Sequence, residues 1–502
     1  MSQQLEVGHD AAPSPAADPP SVSPSRRLLL GLCGLFAVWV LVVPPFGGID
    51  EHDHAYRAAA AARGQWAIDP VNATRGTGAW LEVPSDIVDA ARAECKNLSY
   101  TKDRDCVGTP AGEGTTRVAS GAGRYHPLFY AVIGTVAKPF HGATALYLMR
   151  IATALLAAAF VWVAARAAST WARTRWPYVG IVVACTPVAV YSCAVASPNG
   201  AEMMSALALW LSLVGLLVAP AEHIRRLAAY AAVSGAVLAT LRPLGPLWCL
   251  MILAVVLVAV RAEPDRIRSL LRRPAVLLGA LLVLASALQA TAWIVAMDAT
   301  RIGVEGDGHS SLAHRISVSA TQLPAWTFQA IAAFPLRDQP TLPVVYACYL
   351  CLFGLVMALG LRFASARSRL GILLVAGFAL AFPYLTTVKS LDQFGAAWQG
   401  RYGLPVAMGM VLLAAYALDR RGHHLRGPMC LLLALLFVVA QAVAPAYGLF
   451  YEVRHSPQVD SSAWLQPSMV LTVVVAAASA ALMCWGAFGP VLSVKERARA
   501  EA

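Results

Sequence analysis

Apolar runs of roughly 17 to 25 residues, each long enough to cross a hydrocarbon core of about 30 Å, recur in this chain from Leu28 almost to its C-terminal end. Composition agrees: the 502 residues are 58% hydrophobic and 13% charged, whereas a soluble domain carries about a quarter charged residues. The pattern predicts an all-α, polytopic integral membrane protein. Spans fall at about 28–46, 142–165, 177–197, 200–220, 228–241, 244–261, 275–297, 341–361, 370–387, 403–418, 428–447 and 468–488. That makes about 12 transmembrane helices, with 11 to 13 as the range. The apolar segment 127–140 is short for a span and reads as interfacial.

Net charge is +11, but the cations sit in small clusters between apolar runs rather than on one face, which argues against nucleic acid as a partner. They read instead as topology signals, because short cytoplasmic loops are enriched in Lys and Arg. With the N-terminus inside and segment 127–140 not crossing, 21 cations fall on the cytoplasmic side, while the outer connections after the first long loop hold seven. Both termini are then cytoplasmic: a Pro- and Ser-rich tail over 1–25, expected to be disordered, and a basic tail over 491–502, flanking a membrane domain over 26–490. Arginine outnumbers lysine 34 to 5, a bias that suggests a GC-rich bacterial source and hence an inner (plasma) membrane location.

The consequence is functional. The polar connections 47–127, 298–340, 388–402 and 448–467 share the extracytoplasmic side, so any chemistry is expected there. Eight of the ten cysteines lie in apolar runs, Cys348 and Cys351 included, and read as packing residues. Cys95 and Cys106 lie in the long outer loop, where a disulfide is compatible with an oxidising compartment.

The densest ionisable cluster is Asp50 to His54, directly after the first span. On a helix starting near Ile49, Asp50, His54 and Arg57 share a face with Glu51 beside it. Such a carboxylate serves as a general base; alternatively Asp50, Asp53 and His54 form a divalent-metal set, or the acids merely complement a helix N-terminus. Arg124, Tyr125 and His126 precede the interfacial segment, as an acceptor or headgroup site or as an aromatic-belt anchor. Arg150 falls inside a span, where a charge needs a partner, a phosphate or a snorkelling path to the interface. Asn199 lies in the tight turn Ser197-Pro198-Asn199-Gly200, and Glu202 follows within an apolar helix, where Arg150 or Arg242 would suit it as a partner. Arg242, at another outer turn, has the planar fork that matches a phosphate. Finally Asp392, Gln399, Arg401 and Tyr402 group amide, guanidinium, carboxylate and aromatic side chains, a mixture that suits a sugar; the plainer alternative is an interfacial loop with a snorkelling arginine. The absence of a Walker loop argues against a self-powered pump.

The motifs PPFGGIDEHDHAYR, RYHPLFY, SPNG and WQGRYGLP together resemble the bacterial membrane family of domain of unknown function 2142, over about 44–404. That family is similar in architecture to the C-type glycosyltransferases, multispanning enzymes that use polyprenyl-phosphate-linked sugars. Its acidic motif matches with Asp50, Glu51, His54 and Arg57 in register and Ile49 in place of a proline. The resemblance implies that Asp50 or Glu51 activates an acceptor hydroxyl, and that Arg242 or Arg401 holds the lipid phosphate. The expected partners are a polyprenyl-phosphate sugar donor, a glycan or lipid acceptor and membrane lipids. No cofactor beyond a divalent metal ion is in view. The competing class is a transporter or flippase of a lipid-linked or polar solute, which usually shows internal repeats and broken helices near the bilayer midplane.

Overall fold

The computed structural model describes residues 26–68, 79–97, 106–300, 308–334, 340–425, 427–456 and 463–489. The tails expected over 1–25 and 491–502 therefore lie outside the described residues. Helices α1 (Arg26–Val42) and α2 (Glu51–Ala61) are followed by β1 (Ala79–Pro84), α3 (Ser85–Asn97), β2 (Thr109–Gly112), β3 (Thr115–Ser120) and α4 (Pro127–Ala137). Then come α5 (Gly142–Ala168), α6 (Trp176–Ala184), α7 (Pro187–Cys193), α8 (Pro198–Val218), α9 (Ile224–Leu241), α10 (Gly245–Ala259), α11 (Pro264–Leu271) and α12 (Pro274–Ala296). The chain finishes with α13 (Leu312–Ile331), α14 (Pro343–Phe363), α15 (Ala366–Phe394), α16 (Leu404–Arg420), α17 (Gly427–His455) and α18 (Met469–Phe488).

Among the described residues nine helices are long and apolar enough to cross a membrane, and the bent pair α6–α7 makes a tenth. The chain is a multi-pass membrane protein. Each of the twelve expected spans is helical, but α1 and α10 are only 17 and 15 residues long, and the third is not one straight helix. Its halves meet at 72°, because Pro187 has no N–H to continue α6 and Thr186 starts a new helix by accepting from the Ala189 N–H at 3.1 Å. The backbone oxygens freed at the break are taken up from other helices: Gln441 Nε2 of α17 donates to the Cys185 carbonyl at 2.8 Å, and the Tyr349 hydroxyl of α14 donates to that of Val183. In lipid this is what makes a break tolerable.

Helices α8 and α16 are central, with 83% and 78% of their apolar windows buried, and α12 is at the rim with 6%. Two ends of the bundle are distinct. At one end the Arg-rich turns are tied down, as where the Asp419 carboxylate accepts from the backbone N–H groups of Arg173 and Thr174 at 2.8 and 2.7 Å. At the other, the connection over 47–127 is more than a loop. It folds as a small cap, with α2 and α3 beside an antiparallel sheet of order β1-β3-β2, so the all-α description omits one local sheet. A disulfide joins Cys95 to Cys106. The apolar segment forms α4, which seats Tyr130 and Ile133 inward. Leu128, Val132 and Val136, one turn apart, remain about half exposed as an outward stripe, the form expected of a helix lying in a membrane interface.

Candidate functional site

Asp50 opens the cap. It is the N-cap of α2 with φ 55°, in the left-handed region that Asp and Asn enter more readily than other non-glycine residues. A residue held there stores strain of a kind that clusters at functional sites. The next residue, Glu51, is fully buried and bound on both oxygens. Its Oε1 accepts from Arg150 Nε at 2.8 Å and the Ala196 N–H at 2.9 Å; its Oε2 accepts from Arg150 Nη2 at 2.6 Å and the Gly48 N–H at 3.2 Å. Arg150 spends its remaining N–H groups on the carbonyls of Val40, Val43 and Pro44, the open end of α1. A side chain on Gly48 would collide with Val195 and with Glu51 itself. The expected acidic dyad is therefore two separate groups. Glu51 and Arg150 form a buried ion pair that locks the cap to α1, α5 and the turn before α8, and Arg150 neither snorkels nor awaits a phosphate.

One turn along α2, His54 Nδ1 shares a 2.8 Å hydrogen bond with the Tyr130 hydroxyl. Burial lowers its pKa to about 3 against the opposing pull of Asp50, with Arg242 and Arg401 adding to the decrease, so the imidazole is neutral. Arg57 faces structure: it donates to the carbonyls of Gln65, Trp66 and Tyr125, which fixes Tyr125 where the cap meets α4. Tyr125 lies within electrostatic reach of Arg242, Tyr402 and Asp50, and its hydroxyl pKa is raised by burial. The guanidinium of Arg242 sits 4.6 Å from the Tyr402 ring centroid and 5.8 Å from that of Tyr125. Arg242 donates to the Asn199 side-chain oxygen and lies near Glu202, whose Oε1 accepts from Trp248 Nε1 at 3.0 Å. Glu202 thus lies within electrostatic reach of Arg242, while Arg150 is spent on Glu51.

Arg401 completes the group. It lies in a 3-10 turn, Gly400–Gly403, and is only 3% exposed, and its Nε has no hydrogen-bond partner; the Oε1 of Gln399 beside it is likewise buried and unbonded. The turn is clamped to α13, since the Gly400 N–H donates to Gln329 Oε1 at 2.9 Å and a Cβ at Gly400 would collide with the Trp326 carbonyl. A buried cation with an unspent donor is costly unless an anion joins it.

The fold thus gathers Asp50, His54, Tyr125, Asn199, Glu202, Arg242, Gln399, Arg401 and Tyr402 from four separate connections. Space beside Arg242 is small: about 10 Å³ between Tyr125, Arg242 and Trp293, near the volume one water needs. His126 borders the same small space, where it caps α4 and bonds Gln289 of α12 at 2.7 Å. Two other expected residues, Asp392 and Asp53, are taken up elsewhere. Asp392 takes a hydrogen bond from Ser310 and approaches Arg315 at 3.9 Å, tying α15 to the segment before α13. Asp53 accepts from the Gly121 N–H at 2.8 Å and so holds the end of β3. With Asp53 turned to the sheet, the metal set Asp50, Asp53 and His54 is not assembled, and among the described residues no three His, Cys, Asp or Glu side chains could hold a metal ion. Tyr130 and Trp248 were not foreseen. Tyr130 was visible as the last residue of RYHPLFY, whereas nothing in the sequence singled out Trp248.

A family model described as "Predicted membrane protein (DUF2142)" matches residues 33–410, a stretch that takes in every site residue named above. No curated protein and no solved structure matches the chain.

Proposed function

The chain belongs to the DUF2142 family of predicted membrane proteins, and from that premise we propose that it is a glycosyltransferase of C-type architecture with twelve crossings. It moves a sugar from a polyprenyl-phosphate donor to a cell-envelope glycan or lipid acceptor, on the extracytoplasmic face of a bacterial inner membrane. The observation that carries this reading is that a strained, half-buried carboxylate, Asp50, and two guanidinium groups, Arg242 and Arg401, lie within electrostatic reach of one imidazole, His54, at one end of the bundle.

Asp50 takes the proton of an acceptor hydroxyl as its oxygen attacks the anomeric carbon, a base contribution of about 10² to 10⁴-fold. The bond from that carbon to the phosphate oxygen breaks, and the phosphate departs carrying the electron pair toward Arg242 and Arg401, whose fixed charges stabilise it. One displacement inverts the anomeric centre. Tyr125 and Tyr402 flank the path as aromatic faces. The reading requires the closed space beside Arg242 to widen when substrates enter.

Asp50→Asn tests this. Glycan transfer in membranes should fall at least 100-fold while expression and thermal stability stay at wild-type level; an unchanged glycan profile would sink the proposal. The bend between α6 and α7 favours a second reading, transport of a lipid-linked or polar solute, since broken helices build transporter sites. Against it, the oxygens at the bend are already bonded by Gln441 and Tyr349, and the site's charges lie at the cap end.

A further inference from the structure

Two glutamates sit where helix periodicity asks for apolar residues, and none of the chemistry above uses them. On α3 the buried positions include Ile87, Val88, Ala91 and Cys95, and Glu94 falls on the same face with 4% exposure. On α17 they include Pro445, Gly448 and Leu449, followed one turn later by Glu452 with 5% exposure. Each acid has its Oε1 buried without a hydrogen-bond partner, while Oε2 of Glu452 accepts from the Ser456 hydroxyl. Both carboxyls lie within electrostatic reach of Arg150, and Glu452 lies within that of Glu94 as well. Arg150 is already spent on Glu51. With every acid ionised, the cluster would therefore hold two buried negative charges beyond the one that Arg150 balances, an arrangement that forces a carboxyl to keep a proton.

The other ionisable groups around the cluster do not relieve it. Tyr147 of α5 reaches Glu51 and Arg150, and Tyr191 of α7 reaches Glu51 and Glu452, but both bring neutral hydroxyls. Glu82 of β1 and Arg117 of β3 point to solvent. On α3 itself Asp86 pairs with His141, and Asp89 with Arg92 at the surface. We infer that Glu94 and Glu452 form a proton-binding site, and that the carboxyl neutralised there latches the cap helix α3 onto the bundle, where it packs on α5. The proton comes from water on the cap side and converts one carboxylate to a carboxylic acid. Burial pushes the Glu94 carboxyl from its ordinary 4.5 up to about 7, with Glu51 adding to the rise and Arg150 opposing it. A carboxyl that holds its proton more tightly in the folded cap than in the unfolded chain contributes stability that is fully present below about 4.5 and is lost as the pH rises through about 7. Rising pH thus loosens the cap that also carries Asp50. The inference goes beyond sugar transfer and holds whether or not the chain performs it.

The test is hydrogen exchange on the full chain in phosphatidylcholine nanodiscs, at pH 5.5 and pH 8 with a chelator present, corrected for intrinsic exchange. Protection of α3 should be about tenfold greater at the lower pH, the direction that proton linkage requires. Glu94→Gln and Glu452→Gln each put a neutral amide in place of one acid, and each should make the protection equal at both pH values. Infrared difference spectra supply a readout that packing alone would not move. The C=O stretch of a protonated carboxyl, present in the wild type at pH 5.5 and gone at pH 8, should be missing from Glu94→Gln. In case that variant misfolds, the same loss is read from Glu452→Gln. Protection of wild-type α3 that ignores pH, a pH dependence that survives in both variants, or an infrared band unchanged by either would each overturn the inference. So would recovery of protection at pH 8 on adding calcium in place of the chelator, since the pair would then be a metal site rather than a proton site.

Discussion

Asp50 and Glu51 are neighbours with opposite work. Glu51 has no exposure, four hydrogen bonds and a guanidinium partner, so replacing it leaves Arg150 charged and partly unpaired among apolar helices. Breaking a buried pair from one side costs about 3–5 kcal/mol. Glu51→Gln is therefore expected to lower the thermal unfolding temperature of the detergent-purified protein markedly, whereas Asp50→Asn leaves it in place. Equal melting curves for Glu51→Gln and wild type would show that the lock is not structural. Their adjacency in sequence made them look like a pair. Only the left-handed backbone at Asp50 turns the two carboxylates to different neighbours, and no local pattern announces that turn for a non-glycine residue.

At the scale of elements, the third span shows how a helix interruption is sustained. Thr186 and Pro187 are legible as a helix start, yet they sit inside an apolar run that reads as continuous by hydropathy. What makes the bend viable is Gln441, a buried amide 256 residues away in α17. Gln441→Leu would orphan the Cys185 carbonyl at a cost of about 1–3 kcal/mol. The expected outcome is a lower melting temperature together with faster hydrogen exchange confined to α6 and α7. Exchange unchanged at the bend would mean that its backbone is satisfied by other means. The short apolar helix α4 was easier to foresee, because its apolar run is bounded by polar connections and is short for a span.

For the molecule as a whole, the short connections at the cap end, after the long first one, are poor in arginine, and the opposite end collects the Arg-rich turns. Orientation follows from applying the positive-inside rule to that division. In intact cells, Asp89→Cys on the exposed face of α3 should react with a membrane-impermeant maleimide, and Arg268→Cys in α11 should react only after permeabilisation. The reverse pattern would invert the topology and put the site in the cytoplasm.

The sequence by itself determined the solvent of this protein, its helices, the end of the bundle where polar chemistry gathers, and most of the side chains that meet there. These are readable because apolar length and loop charge are local quantities set by the thickness and asymmetry of a bilayer. Tertiary structure alone decided which charges are spent and which are available. Glu51 found Arg150 across 99 residues and Arg242 found Asn199 across 43, while Arg401 was buried with its Nε unbonded. Pairing of that kind depends on where distant helix ends come to rest, and a charge in a one-dimensional string carries no record of its partner.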